Sequence, residues 1–278
     1  EDVIEGIQNQ EKPLQGVAVT FDDGYRDTYT QAFPILRQYG IPATVFLAVG
    51  AIESGQAPWY DKIFLALKAY PGEELKVHLD QPRRFLLMAP GARLHAASQI
   101  MLWLRKQPPA KRREFCAELE ARIALPQHEL SGRMMTWEQV REMQEAGISF
   151  GAHTLTHPPV SRLTEDEVGP ELLHSKQILE QRLGRPAPDF AYPFGQPADC
   201  GNTADWLKRY GYRSAVTTVP GLNRAGSDLY SLRRFYMEEV HCVSLFALRL
   251  SRAFFVMENG PVNAVPNTLS SPMRSSYA

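Results

Sequence analysis

Val17-Ala18-Val19-Thr20-Phe21-Asp22-Asp23-Gly24 is a short apolar, β-branched run that breaks into two carboxylates and a glycine. It has the pattern of a buried strand running into a loop. A helix-like segment from Thr28 to Tyr39 follows and is closed by Gly40. Pro42 to Val49 then repeats the apolar run and stops at Gly50. Strand, helix and strand in that order form a βαβ unit, which predicts a parallel sheet or a barrel rather than a sandwich or a bundle.

From about residue 54 to 133 the alternation lapses. Long amphipathic stretches, Arg93 to Arg105 and Ala110 to Ile123, are separated by proline-containing joints, and they predict an inserted helical subdomain. Leu75 to Met88 mixes helix and strand signals. The rhythm then resumes with helix Thr136 to Ala146, strand Ile148 to Ala152, helix Glu165 to Leu183, strand Asp189 to Tyr192, helix Thr203 to Tyr210 and strand Ser214 to Thr218. Strand Leu232 to Met237 and helix Val243 to Phe254 complete it. The expected organisation is one domain over 1–258 carrying the insertion, with a loosely held tail over 259–278 rich in Pro, Ser and Asn.

Composition narrows the function. Of 278 residues, 44% are hydrophobic and 22% charged, enough to bury a large core. Thirty Lys plus Arg against 31 Asp plus Glu leave a net charge of -1, so the electrostatic pull toward phosphate backbones is missing and nucleic acid is not an expected partner. Cys116, Cys200 and Cys242 are odd in number and unpaired in spacing, and read as free thiols. No run of about 18 apolar residues suggests a membrane span. No signal-peptide pattern opens the chain, whose first residue is Glu1 rather than Met. Localisation is left between cytoplasm and periplasm, and oligomeric state is left open.

In a parallel α/β barrel the reactive groups gather where strands end, at the carboxyl face. Three expected strand ends carry unusual polar residues: Asp22-Asp23-Gly24, His153-Thr154-Leu155-Thr156-His157 and Tyr192-Pro193-Phe194-Gly195. Histidines at i and i+4 suit a single divalent metal, with a carboxylate from another strand as third ligand and a position left open for water. Taken alone, the histidine pair is a weak signal and Asp-Gly is a common turn. The pair lacks the glutamate of a zincin helix, and Pro158-Pro159 ends any helix at once, which disfavours a metalloprotease. The conjunction of the three clusters, in this order, carries the weight.

Thr20-Phe21-Asp22-Asp23-Gly24, His153-Thr154-Leu155-Thr156-His157 and Phe190-Ala191-Tyr192-Pro193-Phe194-Gly195 resemble the first three motifs of the polysaccharide deacetylase, or NodB-homology, family, carbohydrate esterase family 4. The resemblance runs from about Val17 to Leu250 and implies a distorted (β/α)7 TIM-like barrel. It also implies that Asp23, His153 and His157 hold a divalent metal, usually Zn2+, that Asp22 is the general base, and that the Phe194 backbone N–H helps the metal to stabilise an oxyanion. The implied partner is an acetylated amino-sugar glycan, from which N-acetyl groups are removed as acetate. Acetyl esters, non-peptide amides and a non-catalytic glycan-binding barrel are the alternatives.

Two departures stand out. Where the family commonly carries an arginine that orients the base, this chain has Ala191; Arg234, in Ser231-Leu232-Arg233-Arg234-Phe235, is the candidate replacement, against a plain surface arginine beside Arg233. The fourth and fifth motifs are absent. Asp205-Trp206 sits on an amphipathic helix where Trp206 reads as core, and His241 is a weak candidate for a general acid. Trp59-Tyr60-Asp61 opens the insertion with aromatic faces of the kind sugars stack on, although packing is the simpler role for Trp59. His78, His95, His128 and His174 read as surface residues.

Overall fold

The structure, a computed structural model, describes residues 2–9, 16–237 apart from 124 and 126, and 247. His241, Cys242, the 259–278 tail and, apart from Ala247, the expected helix Val243 to Phe254 lie outside the described residues. Five parallel strands build the main sheet: β1 (Val19–Phe21), β2 (Ala43–Leu47), β5 (Ser149–Ala152), β6 (Asp189–Ala191) and β7 (Ser214–Val216). They lie side by side in chain order, β1-β2-β5-β6-β7. Each step between neighbours is a crossover carrying helix, as parallel pairing requires. α2 (Phe33–Tyr39) links β1 to β2, α8 (Trp137–Glu145) leads into β5, α9 (Glu165–Val168) and α10 (Ser175–Leu183) link β5 to β6, and α11 (Pro197–Cys200) and α12 (Ala204–Arg209) link β6 to β7.

These elements follow from local sequence. α8 starts at a reciprocal cap, in which Thr136 Oγ1 accepts from the Gln139 N–H while Gln139 Oε1 accepts from the Thr136 N–H. Its Trp137, Val140 and Met143 then fall on one buried face. The strands are apolar on both sides: Val45, Leu47, Phe150, Ala152, Phe190 and Ala215 are buried on one face and Phe46 and Ala191 on the other, as expected of a parallel sheet covered by helices.

The sheet curls. Leu232 pairs with Val216 beyond the β7 edge, yet the nearby Arg234 side chain reaches Thr20 of β1, the opposite edge, donating to its Oγ1 at 3.1 Å. The two margins of the sheet therefore face one another, in agreement with the expected barrel class. α1 (Asp2–Asn9) packs Ile4 and Ile7 against Leu232.

Two expectations are corrected and one is refined. Leu232 to Met237 is not a strand among the described residues: Leu232 alone forms a bridge, to Val216, and the Arg234 N–H goes to the Val219 carbonyl past the end of β7. Glu165 to Leu183 is continuously helical as expected, but widens into a π segment at Gly169–His174 between α9 and α10, where Pro170 lacks a helical donor. The insertion is not purely helical. After α3 (Val49–Ser54) it comprises α4 (Trp59–Ala69), an antiparallel hairpin of β3 (Glu74–His78) and β4 (Pro82–Leu86), α5 (Ala92–Leu104), α6 (Pro109–Arg122) and α7 (Gln127–Leu130). In β3, Leu75 and Val77 are buried while Lys76 and His78 are exposed, the period-2 pattern of a half-covered strand. The insertion has its own core of Ile63, Leu67, Leu75, Ile100, Leu104 and Leu119, among others.

Candidate metal and catalytic site

Asp22 and Asp23 leave the end of β1, His153 the end of β5, and Phe194 follows β6, so the parallel arrangement delivers all of them to one rim. Ligand atoms of Asp23, His153 and His157 lie within 4.8 Å of one another. Asp23 Oδ1 is 3.1 Å from His157 Nε2 and 3.7 Å from His153 Nε2, and the two imidazole Nε2 atoms are 3.1 Å apart. Both rings thus aim the same nitrogen at the same point as the carboxylate.

The backbone is bent to achieve this. Asp23 (φ 70), Thr154 (φ 64), His157 (φ 59) and Phe194 (φ 60) are the non-glycine residues with positive φ among the described residues. Left-handed conformations cost non-glycine residues energy and survive where surrounding structure enforces them, typically at functional sites. The adjacent glycines are sterically obligatory: a Cβ at Gly24 would meet Leu47 Cδ2 at 2.7 Å, and one at Gly195 would meet the Thr218 backbone N at 2.6 Å.

Hydrogen bonds lock the histidine loop. The His157 N–H donates to Thr154 Oγ1 at 2.9 Å, and the Val49 and Gly50 N–H groups donate to the Thr154 and Leu155 carbonyls. Buried Glu171 accepts from the N–H groups of Leu155 at 2.9 Å and Thr156 at 2.8 Å. His153 Nδ1 is 2.7 Å from the Ala191 carbonyl. That oxygen can only accept, so Nδ1 carries the proton and Nε2 presents a bare lone pair to the focus. Burial, joined by neighbouring His157, holds the His153 imidazole below its ordinary pKa against Asp22 and Asp23, favouring the neutral ring. Burial would raise the Asp23 carboxyl; the His157 charge and hydrogen bond, His153 and the Tyr60 hydroxyl outweigh it and bring Asp23 down to about 2. A carboxylate and two inward-facing nitrogens, one with its tautomer fixed, form a donor set that suits a divalent cation.

Beside this group, Arg234 clamps Asp22. Its NH1 donates to Asp22 Oδ1 and its NH2 to Oδ2, each at 2.8 Å, while Nε donates to the Thr217 carbonyl at 2.8 Å. A two-pronged guanidinium pair fixes the carboxylate plane as well as its charge. Ala191, buried and bearing no polar side chain, offers the His153 ring its carbonyl instead.

Sequence reasoning missed several contributors. Glu171 stands in no motif, and the only hint was its place in the expected helix after the histidine loop. Arg105 from the insertion pairs through Nε and NH2 with Asp199, with Nε to Oδ1 at 2.9 Å, and lies 4.6 Å over the Phe194 ring. Tyr60 donates to Asp23 Oδ1 at 2.8 Å. Trp59 packs near Phe194 and under Arg112. Trp206 is partly buried against the main core, His78, His95, His128 and His174 are exposed, and Cys116 and Cys200 are buried and unbonded. Among the described residues no helix is long and apolar enough to cross a membrane.

Comparison with known proteins agrees with this fold. The Bacillus subtilis protein YxkH, described as a candidate polysaccharide deacetylase, is 23% identical over 229 residues, covering 82% of this chain and 54% of its own length. The chain thus spans about half the length of that curated relative. Among solved structures, Streptococcus pyogenes deacetylase PplD, in complex with acetate, superposes with a TM-score of 0.54 at 23% identity, covering 85% of this chain and 71% of its own. A de-N-acetylase from Aggregatibacter actinomycetemcomitans superposes with a TM-score of 0.51 at 16% identity, covering 88% and 80%. At such identities the likeness to the solved structures is one of fold. The family model for polysaccharide deacetylase matches residues 9–215, the greater part of the chain, and the chain belongs to the polysaccharide deacetylase family.

Proposed function

We propose that the protein is a metal-dependent hydrolase that removes N-acetyl groups from the amino sugars of a polysaccharide or glycan precursor and releases acetate. The observation that carries this is the meeting of Asp23, His153 and His157 within 4.8 Å beside an Asp22 carboxylate clamped by Arg234. A divalent cation held by those three residues, Zn2+ in this proposal, supplies Lewis acidity toward the acetyl carbonyl and acidifies water.

The remaining steps belong to the chain's own groups. Asp22, held in one orientation, takes a proton from the attacking water as general base. The Phe194 N–H, set by the left-handed turn at φ 60, donates to the oxygen that gains negative charge. Arg234 keeps the Asp22 carboxylate in place and balances its charge. The C–N bond then breaks, the amine leaves with a proton, and acetate is the second product. An intact, clamped base favours hydrolysis over glycan binding without chemistry.

The deciding experiment combines elemental analysis with acetate release from a panel of acetylated glycans and chito-oligosaccharides. The expected result is about one divalent metal per chain and acetate in step with free amine. A protein that takes up no metal and gains no activity on adding zinc, cobalt, nickel or manganese refutes the proposal.

A further inference from the structure

The insertion touches the candidate cation site at two consecutive residues. α4 begins at Trp59, so Trp59 and Tyr60 project from the first turn of a helix anchored in the insertion core through Ile63 and Leu67. The Trp59 indole N–H donates to the His157 carbonyl at 3.2 Å. The Tyr60 hydroxyl donates to Asp23 Oδ1 at 2.8 Å, and its ring centroid lies 4.7 Å from that of the His157 imidazole. Tyr25, next to Gly24, and buried Asp61 are close enough to the Tyr60 phenol to act on it electrostatically.

The two histidines are oriented by different means. His153 is tied through Nδ1 to the Ala191 carbonyl, whereas His157 Nδ1 is buried with no protein partner among the described residues. Histidines that hold a metal generally have their second nitrogen tethered, which fixes the ring. At His157 aromatic neighbours supply the restraint instead, with Tyr60 at 4.7 Å and Phe194 at 5.0 Å flanking the imidazole. Tyr60 also fixes the carboxylate oxygen that faces the same ring at 3.1 Å. One side chain thereby orients two members of the group.

We propose that Tyr60 is a positioning residue for the cation, supplied by the insertion, which orients Asp23 through its hydroxyl and His157 through its ring. This rests on Asp23, His153 and His157 binding a metal. Outer partners of this kind change metal affinity about 10–100-fold. A tyrosine that merely packs would alter the stability of the metal-free protein and leave affinity alone.

The test measures zinc dissociation constants of the full chain by chelator competition, with metal-free melting temperatures alongside. Tyr60→Phe removes the hydroxyl, and Tyr60→Leu removes the ring as well. Tyr70→Phe, whose hydroxyl donates to the Glu74 carbonyl elsewhere in the insertion, is the control. The expected result is zinc binding weakened about 10-fold in Tyr60→Phe and further in Tyr60→Leu, with Tyr70→Phe like the parent and the metal-free melting of Tyr60→Phe unchanged. Affinity within twofold of the parent in Tyr60→Phe overturns the proposal. So does an equal loss in Tyr70→Phe, or a Tyr60→Phe chain that no longer folds without metal, since either assigns Tyr60 to packing. A parent chain that binds no zinc overturns the metal site itself, and this proposal with it.

Discussion

The curled sheet and the insertion each bury a separate core, one around Val45, Leu47 and Phe190 and the other around Ile63, Leu75 and Ile100, yet both reach the same site by different devices. The sheet delivers Asp23, His157 and Phe194 on left-handed backbone at strand ends. The insertion delivers Trp59 and Tyr60 from the ordinary first turn of a helix. Strain is concentrated on the side where the proposed chemistry lies, and the insertion, on ordinary helical backbone, acts through side-chain contact. The difference teaches that the two contributions should fail differently: sheet residues through metal content or turnover, insertion residues through affinity and stability.

The largest effect should separate the adjacent aspartates of the sheet side. Asp22→Asn keeps shape but cannot accept a proton, so metal content should persist while turnover falls roughly 10²–10⁴-fold. Asp23→Asn, like His153→Ala or His157→Ala, should lose metal. Zinc stoichiometry and acetate release decide it. Equal metal loss in both aspartate variants would make Asp22 a ligand, and an active Asp22→Asn would end the general-base role.

An intermediate effect belongs to the insertion and shows in stability. Burial raises the Asp61 carboxyl to about 6, above its ordinary 3.8, so the folded protein favours the neutral acid. Stability from that preference is fully present below the ordinary carboxylate range and is lost as pH rises through about 6. Asp61→Asn stays neutral throughout. Between pH 4 and 7 it should gain on the parent by roughly 2–3 kcal/mol in denaturant unfolding. A constant gap over that range would show that Asp61 is not held neutral by the fold.

The smallest effect sharpens the sheet side. Arg234→Ala frees Asp22 without touching the cation group, so turnover should fall about 10-fold or more at unchanged metal content, as when an orienting group is removed. Arg234→Lys should recover only part of the loss, because an ammonium cannot grip both carboxylate oxygens. Steady-state kinetics with metal analysis provide the check, and activity within twofold of the parent would return Arg234 to a structural part.

Much of the sheet side was legible because three strand ends carry polar clusters, Asp22-Asp23-Gly24, His153 to His157 and Tyr192 to Gly195, each weak alone but together, in this order, resembling the motifs of one family. Arg234 was legible through the resemblance, since Ala191 stands where the family commonly has an arginine beside the proposed base and a late segment offered another. The insertion side was not. Tyr60 was visible only as part of the aromatic pair Trp59-Tyr60, and its link to Asp23 spans 37 positions that no periodicity connects. Glu171, Arg105 and Asp199 are ordinary helix-surface types whose importance appears only once chain-distant elements meet. The β3–β4 hairpin did carry a signal, the alternation of Leu75 and Val77 with Lys76 and His78, but the segment is short and Leu79-Asp80-Gln81 between the strands lacks the Gly or Asn that marks a tight hairpin turn.

The margins of the sheet meet through a guanidinium rather than a backbone ladder: among the described residues no strand pairing joins β1 to the Leu232 segment, and Arg234 bridges the seam to Thr20 and Asp22. In a ribosome's order of synthesis, Asp22 emerges early and its clamp more than two hundred residues later, at a separation of 212. A nascent chain halted before Arg234 would already hold Asp23, His153 and His157, yet its base would swing freely. On the proposed reading, turnover would thus rise about 10-fold once the Arg234 clamp closes, whereas the grouping of Asp23, His153 and His157 does not wait for it.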